Sequence, residues 1–182
     1  MRIIAGEHRG RRLHEFSGRD VRPTTDRVKE SVFNIIQNFI PLSDVLDMFS
    51  GSGALSMEAL SRGAASAVCT DIDKNSIDII RKNAAELGYL EKCSIVNCSC
   101  FDFAKRTGSK FDVIFLDPPY NKGLIEPALE VILENSLLKP GGIVMLESDN
   151  TDFHDEKEGF EIYRQRKYGR TYITIYQGAK EE

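Results

Sequence analysis

Apolar positions follow two different spacings from residue 44 onward. Short apolar runs of strand length alternate with segments whose apolar residues recur every three or four positions. The pattern predicts strand 44–48, helix 54–62, strand 66–71, helix 74–87, strand 94–98, a short segment, strand 112–116, helix 123–135 and strand 143–147. Such alternation is typical of a doubly wound α/β fold, in which helices cover both faces of a mostly parallel sheet.

The C-terminal end is predicted to add antiparallel strands to this sheet. Segments 159–167 and 171–177 are rich in Tyr, Ile and Thr, and the turn Tyr168-Gly169-Arg170 joins them. A further turn, Pro140-Gly141-Gly142, is predicted to lead into strand 143–147. An antiparallel hairpin at one side of a parallel sheet is the expected arrangement.

The N-terminal end is predicted to form a small unit of its own. Two strand-like runs within residues 2–16 flank a glycine-containing turn, which favours a β-hairpin. A helix then begins near residue 24, runs to Phe39 and is ended by Pro41. We therefore expect an appendage, residues 1–42, ahead of a main domain, residues 43–182.

The composition is that of a globular protein. The 182 residues are 41% hydrophobic and 29% charged, and no apolar run is long enough to cross a bilayer. The arginine-rich start lacks the apolar core of a secretory signal. Four cysteines without C-x-x-C spacing and three scattered histidines predict no metal site. Unpaired cysteines in apolar strands favour a reducing, cytoplasmic location, and nothing in the sequence calls for more than a monomer.

Positive charge is concentrated at the two ends of an acidic chain. The net charge is −4, yet residues 1–30 hold eight Lys or Arg and five Asp or Glu. A second basic cluster contains Arg164, Arg166, Lys167 and Arg170. No acid falls in residues 162–176. This distribution permits nucleic-acid binding, and solvated surface is the alternative interpretation.

A glycine-containing loop after the first predicted strand is a candidate cofactor site. The stretch Asp47-Met-Phe-Ser-Gly-Ser-Gly53 ends a strand and leads directly into a helix, whose first N–H groups attract anions. Ser56 stands where a dinucleotide fingerprint has its third glycine, and many such turns carry glycine for geometry alone. Asp71 ends the second strand and can accept hydrogen bonds from a ribose diol. Loop and acid together predict a nucleoside-bearing cofactor, either NAD or S-adenosylmethionine (SAM).

The sequence Asp117-Pro118-Pro119-Tyr120 distinguishes these two cofactors. It follows the apolar run 113–116 and so lies at the carboxyl end of a strand. Two prolines remove N–H donors and leave carbonyl acceptors beside the Asp117 carboxylate, while Tyr120 offers an aromatic face. Such a loop suits a base with an exocyclic amine, which donates hydrogen bonds and stacks on the ring. The alternative is a proline-stiffened turn with a core tyrosine.

These motifs resemble the class I SAM-dependent methyltransferases that act on exocyclic amines, over about residues 44–147. Further stretches resemble one family in particular, the bacterial 16S ribosomal RNA guanine-N2 methyltransferases, whose target is one loop guanine of the small subunit. They are Met1-Arg-Ile-Ile-Ala-Gly6, Gly10-Arg-Arg-Leu13, Arg22-Pro-Thr-Thr-Asp-Arg27, Asp47-Met-Phe-Ser-Gly-Ser-Gly-Ala-Leu55, Glu58-Ala-Leu-Ser-Arg-Gly-Ala64 and Tyr168-Gly169. The resemblance implies a seven-stranded sheet and SAM as the cofactor.

The resemblance also implies roles for individual residues. The residues expected to bind SAM are Asp47, Phe49, Gly51, Ser52, Gly53, Asp71, Ile72, Ser99, Cys100 and Asp117. Those expected to hold and methylate the guanine are Asp117, Pro118, Pro119 and Tyr120. The chain departs from many such enzymes at Ser99, where an acid or amide usually meets the adenine amine. Asp102, three positions later, is either a substitute or a helix cap.

The predicted reaction is methyl transfer from SAM to N2 of a loop guanine in 16S rRNA, as naked RNA or in the assembling 30S subunit. The candidates for RNA contacts lie in the N-terminal appendage, and they are Arg9, Arg11, Arg12, Arg22, Thr24 and Arg27. Whether Asp117 also accepts the proton stays open.

Three rival functions share parts of this pattern. A DNA adenine-N6 or cytosine-N4 methyltransferase uses the same loop, although 182 residues leave little room for a target-recognition region. A nicotinamide-dependent oxidoreductase has no use for residues 117–120. A non-catalytic RNA-binding module of the same fold would not bind SAM.

Overall fold

The computed structural model describes residues 1–16, 26–120, 122–149 and 157–178. Its helices are α1 (Asp26–Ile35), α2 (Ala54–Ser61), α3 (Lys74–Glu86), α4 (Cys100–Arg106) and α5 (Ile125–Glu134). Its strands are β1 (Asp44–Asp47), β2 (Ser66–Asp71), β3 (Cys93–Asn97), β4 (Phe111–Leu116), β5 (Leu138–Ser148), β6 (Phe160–Tyr168) and β7 (Thr171–Gly178). None of the helices in these ranges is long and apolar enough to cross a membrane.

The strands form one seven-stranded sheet in the order β3-β2-β1-β4-β5-β7-β6. The pairs from β3 to β5 are parallel, whereas β7 lies antiparallel between β5 and β6. This arrangement confirms the predicted mostly parallel sheet with a terminal hairpin. The strand order reverses between β1 and β4, and in open α/β sheets the crevice at such a point receives the ligand.

Two hydrophobic clusters cover the two faces of the sheet. One contains side chains of α1, α2 and α3, such as Phe33, Met57 and Ile77, packed on strand residues that include Phe115. The other contains side chains of α4 and α5 on the opposite-facing strand positions. Apolar residues at period two in the strands and at helical spacing in the helices therefore account for both layers.

The N-terminal segment shares the first of these clusters. Ile3 and Leu13 are buried in it together with Phe33 of α1. The predicted hairpin is present as a short antiparallel pairing, an isolated bridge between Arg2 and Arg12. Residues 1–13 thus pack against the main sheet rather than against one another alone, and the division of the chain at residue 42 stays a prediction.

Two predicted boundaries are wrong. The predicted helix to Phe39 ends as an α-helix at Ile35 and is followed by a 3-10 turn, Gln37–Phe39. The Pro140-Gly141-Gly142 stretch lies inside β5, which begins at Leu138. The register of β4 and β5 shifts between Phe111, which pairs with Leu138, and Val113, which pairs with Ile143, and Gly141 has a positive φ of 76°, so the turn-forming residues are an irregular stretch inside β5.

Candidate active site

A cavity of about 690 Å³ opens at the carboxyl edge of the sheet, where β1 and β4 lie side by side. It is lined by the loops that follow β1, β2, β3 and β4 and by the end of β5. The predicted residues that line it are Asp47, Phe49, Gly51, Ser52, Asp71, Ile72, Ser99, Cys100, Asp117, Pro118, Pro119 and Tyr120. The structure therefore brings the predicted cofactor loop and the predicted base-binding loop into one cavity.

Gly53 is the exception among the predicted cofactor residues. It does not line the cavity but precedes α2 in a left-handed conformation, with φ 76°. A Cβ atom added there would lie 3.2 Å from Ile80 Cγ1. Glycine is required at this position for the turn and for close packing of the loop on α3. The predicted contact between Gly53 and SAM stays a prediction.

Asp71 orders the loop in front of α2. Its Oδ2 accepts a hydrogen bond from the Gly51 N–H at 2.9 Å, and its Oδ1 accepts one from the Asp73 N–H at 2.8 Å. Each carboxylate oxygen has two lone pairs, so both can still accept a hydroxyl donor from the cavity. The carboxylate fits the predicted ribose contact.

Ser99 caps α4 by accepting a hydrogen bond from the Phe101 N–H at 3.2 Å. Asp102 lies in the first turn of the same helix, is exposed and does not line the cavity. Burial raises the pKa of the neighbouring Cys100 thiol to about 12, so this wall of the cavity is uncharged at neutral pH.

Asp47 is a buried carboxylate at the floor of the cavity. Its Oδ2 accepts a hydrogen bond from the Ser56 hydroxyl at 2.9 Å, whereas its Oδ1 has no hydrogen-bond partner among the described residues. Burial raises the pKa of Asp47 to about 7, and the negative charge of Asp71 adds to the increase. An unpaired carboxylate oxygen at a cavity wall fits a cationic donor such as the α-ammonium group of SAM.

The Asp117 loop leaves β4 beside the end of β5. Leu116 pairs with Leu146, so Asp117 and Glu147 are neighbours across the two strands. Burial and the nearby charges of Glu147 and Asp47 raise the pKa of Asp117. The Tyr120 hydroxyl donates a hydrogen bond to Glu147 Oε1 at 3.1 Å, and the Tyr120 side chain, which is 36% exposed, lines the cavity.

Glu147 is a site residue that the sequence reasoning missed. It is 4% exposed, ends the predicted strand 143–147 and lines the cavity next to Asp117. The rule that singled out Asp71 and Asp117, a polar residue at the carboxyl end of a parallel strand, applies equally to it.

The N-terminal segment, residues 1–16, forms a further wall of the cavity that the sequence did not predict. Met1, Glu15 and Phe16 line the cavity, and Asn83 of α3 holds this segment to the glycine loop. The Asn83 side chain accepts a hydrogen bond from the His14 N–H at 2.7 Å and donates to the carbonyls of His14 and Ser52. These contacts join residues far apart in the chain, so no local pattern could indicate them.

The predicted RNA contacts do not gather at the cavity. Arg9, Arg11 and Arg12 are exposed on the N-terminal turn and Arg27 on α1, whereas Arg22 and Thr24 lie outside the described residues. The turn contacts the end of α2 that is remote from the glycine loop, through the Glu7 N–H and the Ser61 carbonyl at 2.8 Å. These RNA contacts stay a prediction.

The sheet order and the combined cavity define a class I SAM-dependent methyltransferase fold. The chain belongs to the family described as "Conserved hypothetical protein 95", whose model matches residues 1–177. It is 37% identical over 180 residues to Ribosomal RNA small subunit methyltransferase D of Haemophilus influenzae, covering 97% of this chain and 93% of that protein. It is 33% identical over 178 residues to the protein of the same name in Escherichia coli K12, covering 97% and 89%. The match confirms the family predicted from the motifs.

The solved structures agree with this assignment. "Putative methyltransferase yhhF from Escherichia coli" superposes with a TM-score of 0.88 at 32% identity, covering 100% of this chain and 99% of that one. Because the superposition covers the whole chain, the structural similarity includes the N-terminal segment and the terminal hairpin as well as the parallel part of the sheet.

Proposed function

We propose that this protein transfers the methyl group of SAM to the exocyclic N2 amine of a loop guanine in 16S rRNA, with the rRNA or the assembling small subunit as substrate in the cytoplasm. The observation that supports the proposal most strongly is that one cavity contains both a candidate cofactor site and a candidate base-binding site. The glycine loop and Asp71 suit a nucleoside, and residues 117–120 suit an amine-bearing base. The names of the relatives, small-subunit rRNA methyltransferases, support rRNA as the substrate class.

The charge of the cavity favours SAM over a dinucleotide. Six acids line it, and no Lys or Arg of the described residues does. The acids are Glu15, Asp47, Asp71, Asp73, Asp117 and Glu147. A sulfonium that also carries an ammonium group is attracted by such a site, whereas the pyrophosphate of NAD is repelled. Asp47 would hold the ammonium group, and Asp71 the ribose hydroxyls.

The bound SAM supplies an activated methyl group, and the residues of the chain position the amine that receives it. Asp117 and the Pro118 carbonyl accept hydrogen bonds from the –NH₂ group, and Tyr120 stacks on the base. Positive charge develops on the nitrogen during transfer, so a carboxylate beside it stabilises the transition state. The raised pKa of Asp117 makes its carboxylate a stronger base than an exposed aspartate, which suits acceptance of the released proton.

The test is transfer of labelled methyl from SAM to 16S RNA, to unmethylated small subunits and to duplex DNA in parallel, followed by digestion to nucleosides. We expect N2-methylguanosine from RNA or subunits and no methylated base from DNA. N6-methyladenine or N4-methylcytosine from DNA would assign the cavity to the rival amine methyltransferases. Absence of transfer to all three would overturn the proposal.

A further inference from the structure

The β6–β7 hairpin places its turn at the same edge of the sheet as the cavity. We call residues 166–172 the hairpin tip. Within it, Tyr172 pairs with Ser148, the last residue of β5, and Ile173 beyond it pairs with Glu147. Glu147 also accepts the hydrogen bond of the Tyr120 hydroxyl at 3.1 Å. The hairpin tip therefore lies directly beside the proposed guanine site, on the side away from the cofactor loop.

Positive charge at this hairpin is not compensated within the described part of the protein. The exposed cations on it are Arg164, Arg166, Lys167 and Arg170. None of them forms an ion pair in the described ranges, whereas Lys139 and Lys157 each meet a carboxylate at 2.7 Å. The Lys167 ammonium lies 4.8 Å from the centre of the Tyr172 ring, which keeps it at the tip. In a chain of net charge −4, these cations give the hairpin a positive electrostatic potential.

The turn that carries the N-terminal arginine Arg9 lies at the end of α2 that is remote from the cofactor loop. The turn that carries Arg9 contacts Ser61, the last residue of α2, through the His8 N–H at 3.0 Å. The cofactor loop precedes the first residue of the same helix, and eight helical residues span about 12 Å. The length of α2 thus separates Arg9 from the cofactor loop, whereas the hairpin tip pairs directly with the end of β5 at the cavity.

We propose that Lys167 and Arg170 bind the RNA phosphates adjacent to the target guanine. The inference rests on the proposed rRNA methyltransferase function and adds a substrate-binding site to it. β6 lies three strand spacings from β4, about 14 Å, which is within the span of a short single-stranded or loop segment. Such RNA is recognised through its backbone together with a base turned out of its stack.

Edge strands also carry charged residues to prevent pairing with another sheet, and β6 is an edge strand. Charge of either sign meets that need. Reversal of charge therefore separates the two roles, because a glutamate protects an edge but repels a phosphate.

The experiment compares Lys167→Glu/Arg170→Glu with Lys92→Glu/Lys110→Glu, which makes the same change in net charge at the start of β3 and β4. Binding to 16S RNA and to unmethylated small subunits is measured over a range of salt concentrations, together with KM, kcat and SAM affinity. For the hairpin variant we expect at least about tenfold weaker binding and a salt slope smaller by about 1.4, or about 0.7 for each lost phosphate contact. SAM affinity should be unchanged, and the control variant should resemble wild type.

Each other result is informative. Hairpin and control variants with equal RNA affinity and equal salt slopes would overturn the inference and leave the proposed function intact. A defect seen with subunits but not with RNA would assign the hairpin to a ribosomal protein instead. If wild-type protein transfers no methyl group to any RNA, it is the proposed function that fails.

Discussion

Asp47 shows at the scale of one residue how the site is prepared for a cation. Its carboxylate is 1% exposed, one of its oxygens has no partner among the described residues, and its pKa is raised to about 7. A folded-state pKa above the unfolded value of about 3.9 means that ionisation of this group opposes folding. This destabilisation of the folded state grows as the pH rises from about 4 to about 7. A cationic ligand beside Asp47 removes it.

Replacement of this carboxylate should therefore stabilise the protein and weaken SAM binding. We expect Asp47→Asn to raise the melting temperature without ligand at pH 8, by less at pH 5, and to lower SAM affinity at least about tenfold, the loss of one charge-assisted hydrogen bond. Thermal unfolding at both pH values and calorimetric titration with SAM measure the two effects. Asp112→Asn, at the opposite end of the sheet, is the control for SAM binding. An Asp47→Asn protein with wild-type affinity for SAM would contradict the assigned role.

Asp117 should affect turnover rather than SAM binding. We expect Asp117→Ala to lower kcat by about 100-fold or more, since it removes an acceptor that acts on the transition state, with SAM affinity within a few-fold of wild type. The active form is the carboxylate, and its pKa is raised. The wild-type kcat should therefore fall on acidification at a higher pH than an ordinary aspartate would require. Rate measurements from pH 5 to pH 9 test this dependence, and a kcat that survives in Asp117→Ala would refute the assignment.

At the scale of an element, α2 connects the cofactor loop with the N-terminal segment. Its residues are all buried, and Glu58 in its middle accepts hydrogen bonds from the Ile4 N–H at 2.8 Å and the Ala5 N–H at 3.1 Å. The buried Lys29 ammonium of α1 lies 3.2 Å from the same carboxylate. Because a buried acid is costly unless it is paired, this cluster fixes one position of the N-terminal segment on α2.

The closest contact of that segment gives an element-scale prediction. Gly6 and Gly10 have nearly the same positive φ, 84° and 85°. A Cβ atom at Gly6 would lie 1.7 Å from the Ser61 carbonyl oxygen, whereas at Gly10 it would meet nothing within 4 Å. We expect Gly10→Ala to lower the free energy of unfolding by about 1–2 kcal/mol, the cost of the left-handed conformation, and Gly6→Ala to lower it by more than about 4 kcal/mol. Urea denaturation measures both. Equal decreases in the free energy of unfolding for the two variants would mean that the N-terminal segment does not pack on α2 as described.

For the whole molecule, the features that the sequence predicts are those encoded in the local spacing of apolar and polar residues. Periodicity located the strands from β1 to β4 and the closing hairpin, and the carboxyl-end rule found Asp71 and Asp117. Glu147 was overlooked, although the same rule covers it. Packing of Phe16 at the cavity and the Asn83 bridge depend on contacts between distant parts of the chain, which spacing does not encode. The predicted start of β5 is wrong because an irregular stretch that contains Gly141 lies within the strand.

The charge of the cavity yields a prediction for the whole molecule. A ligand that binds only the folded state stabilises it by about 2.7 kcal/mol when its concentration is 100 times its Kd. For a chain of this length we expect SAM at that excess to raise the melting temperature by about 5–10 °C. NAD at the same concentration should give no shift, because the six lining acids repel its pyrophosphate, no Lys or Arg of the described residues lines the cavity, and the Met1 ammonium on the lining is already paired with Glu15. The Asp47→Asn protein should lose at least about half of the SAM effect, because a tenfold weaker affinity lowers the stabilisation to about 1.4 kcal/mol. An equal shift with NAD would show that the acids do not select the ligand, and the cavity would then belong to the oxidoreductase alternative.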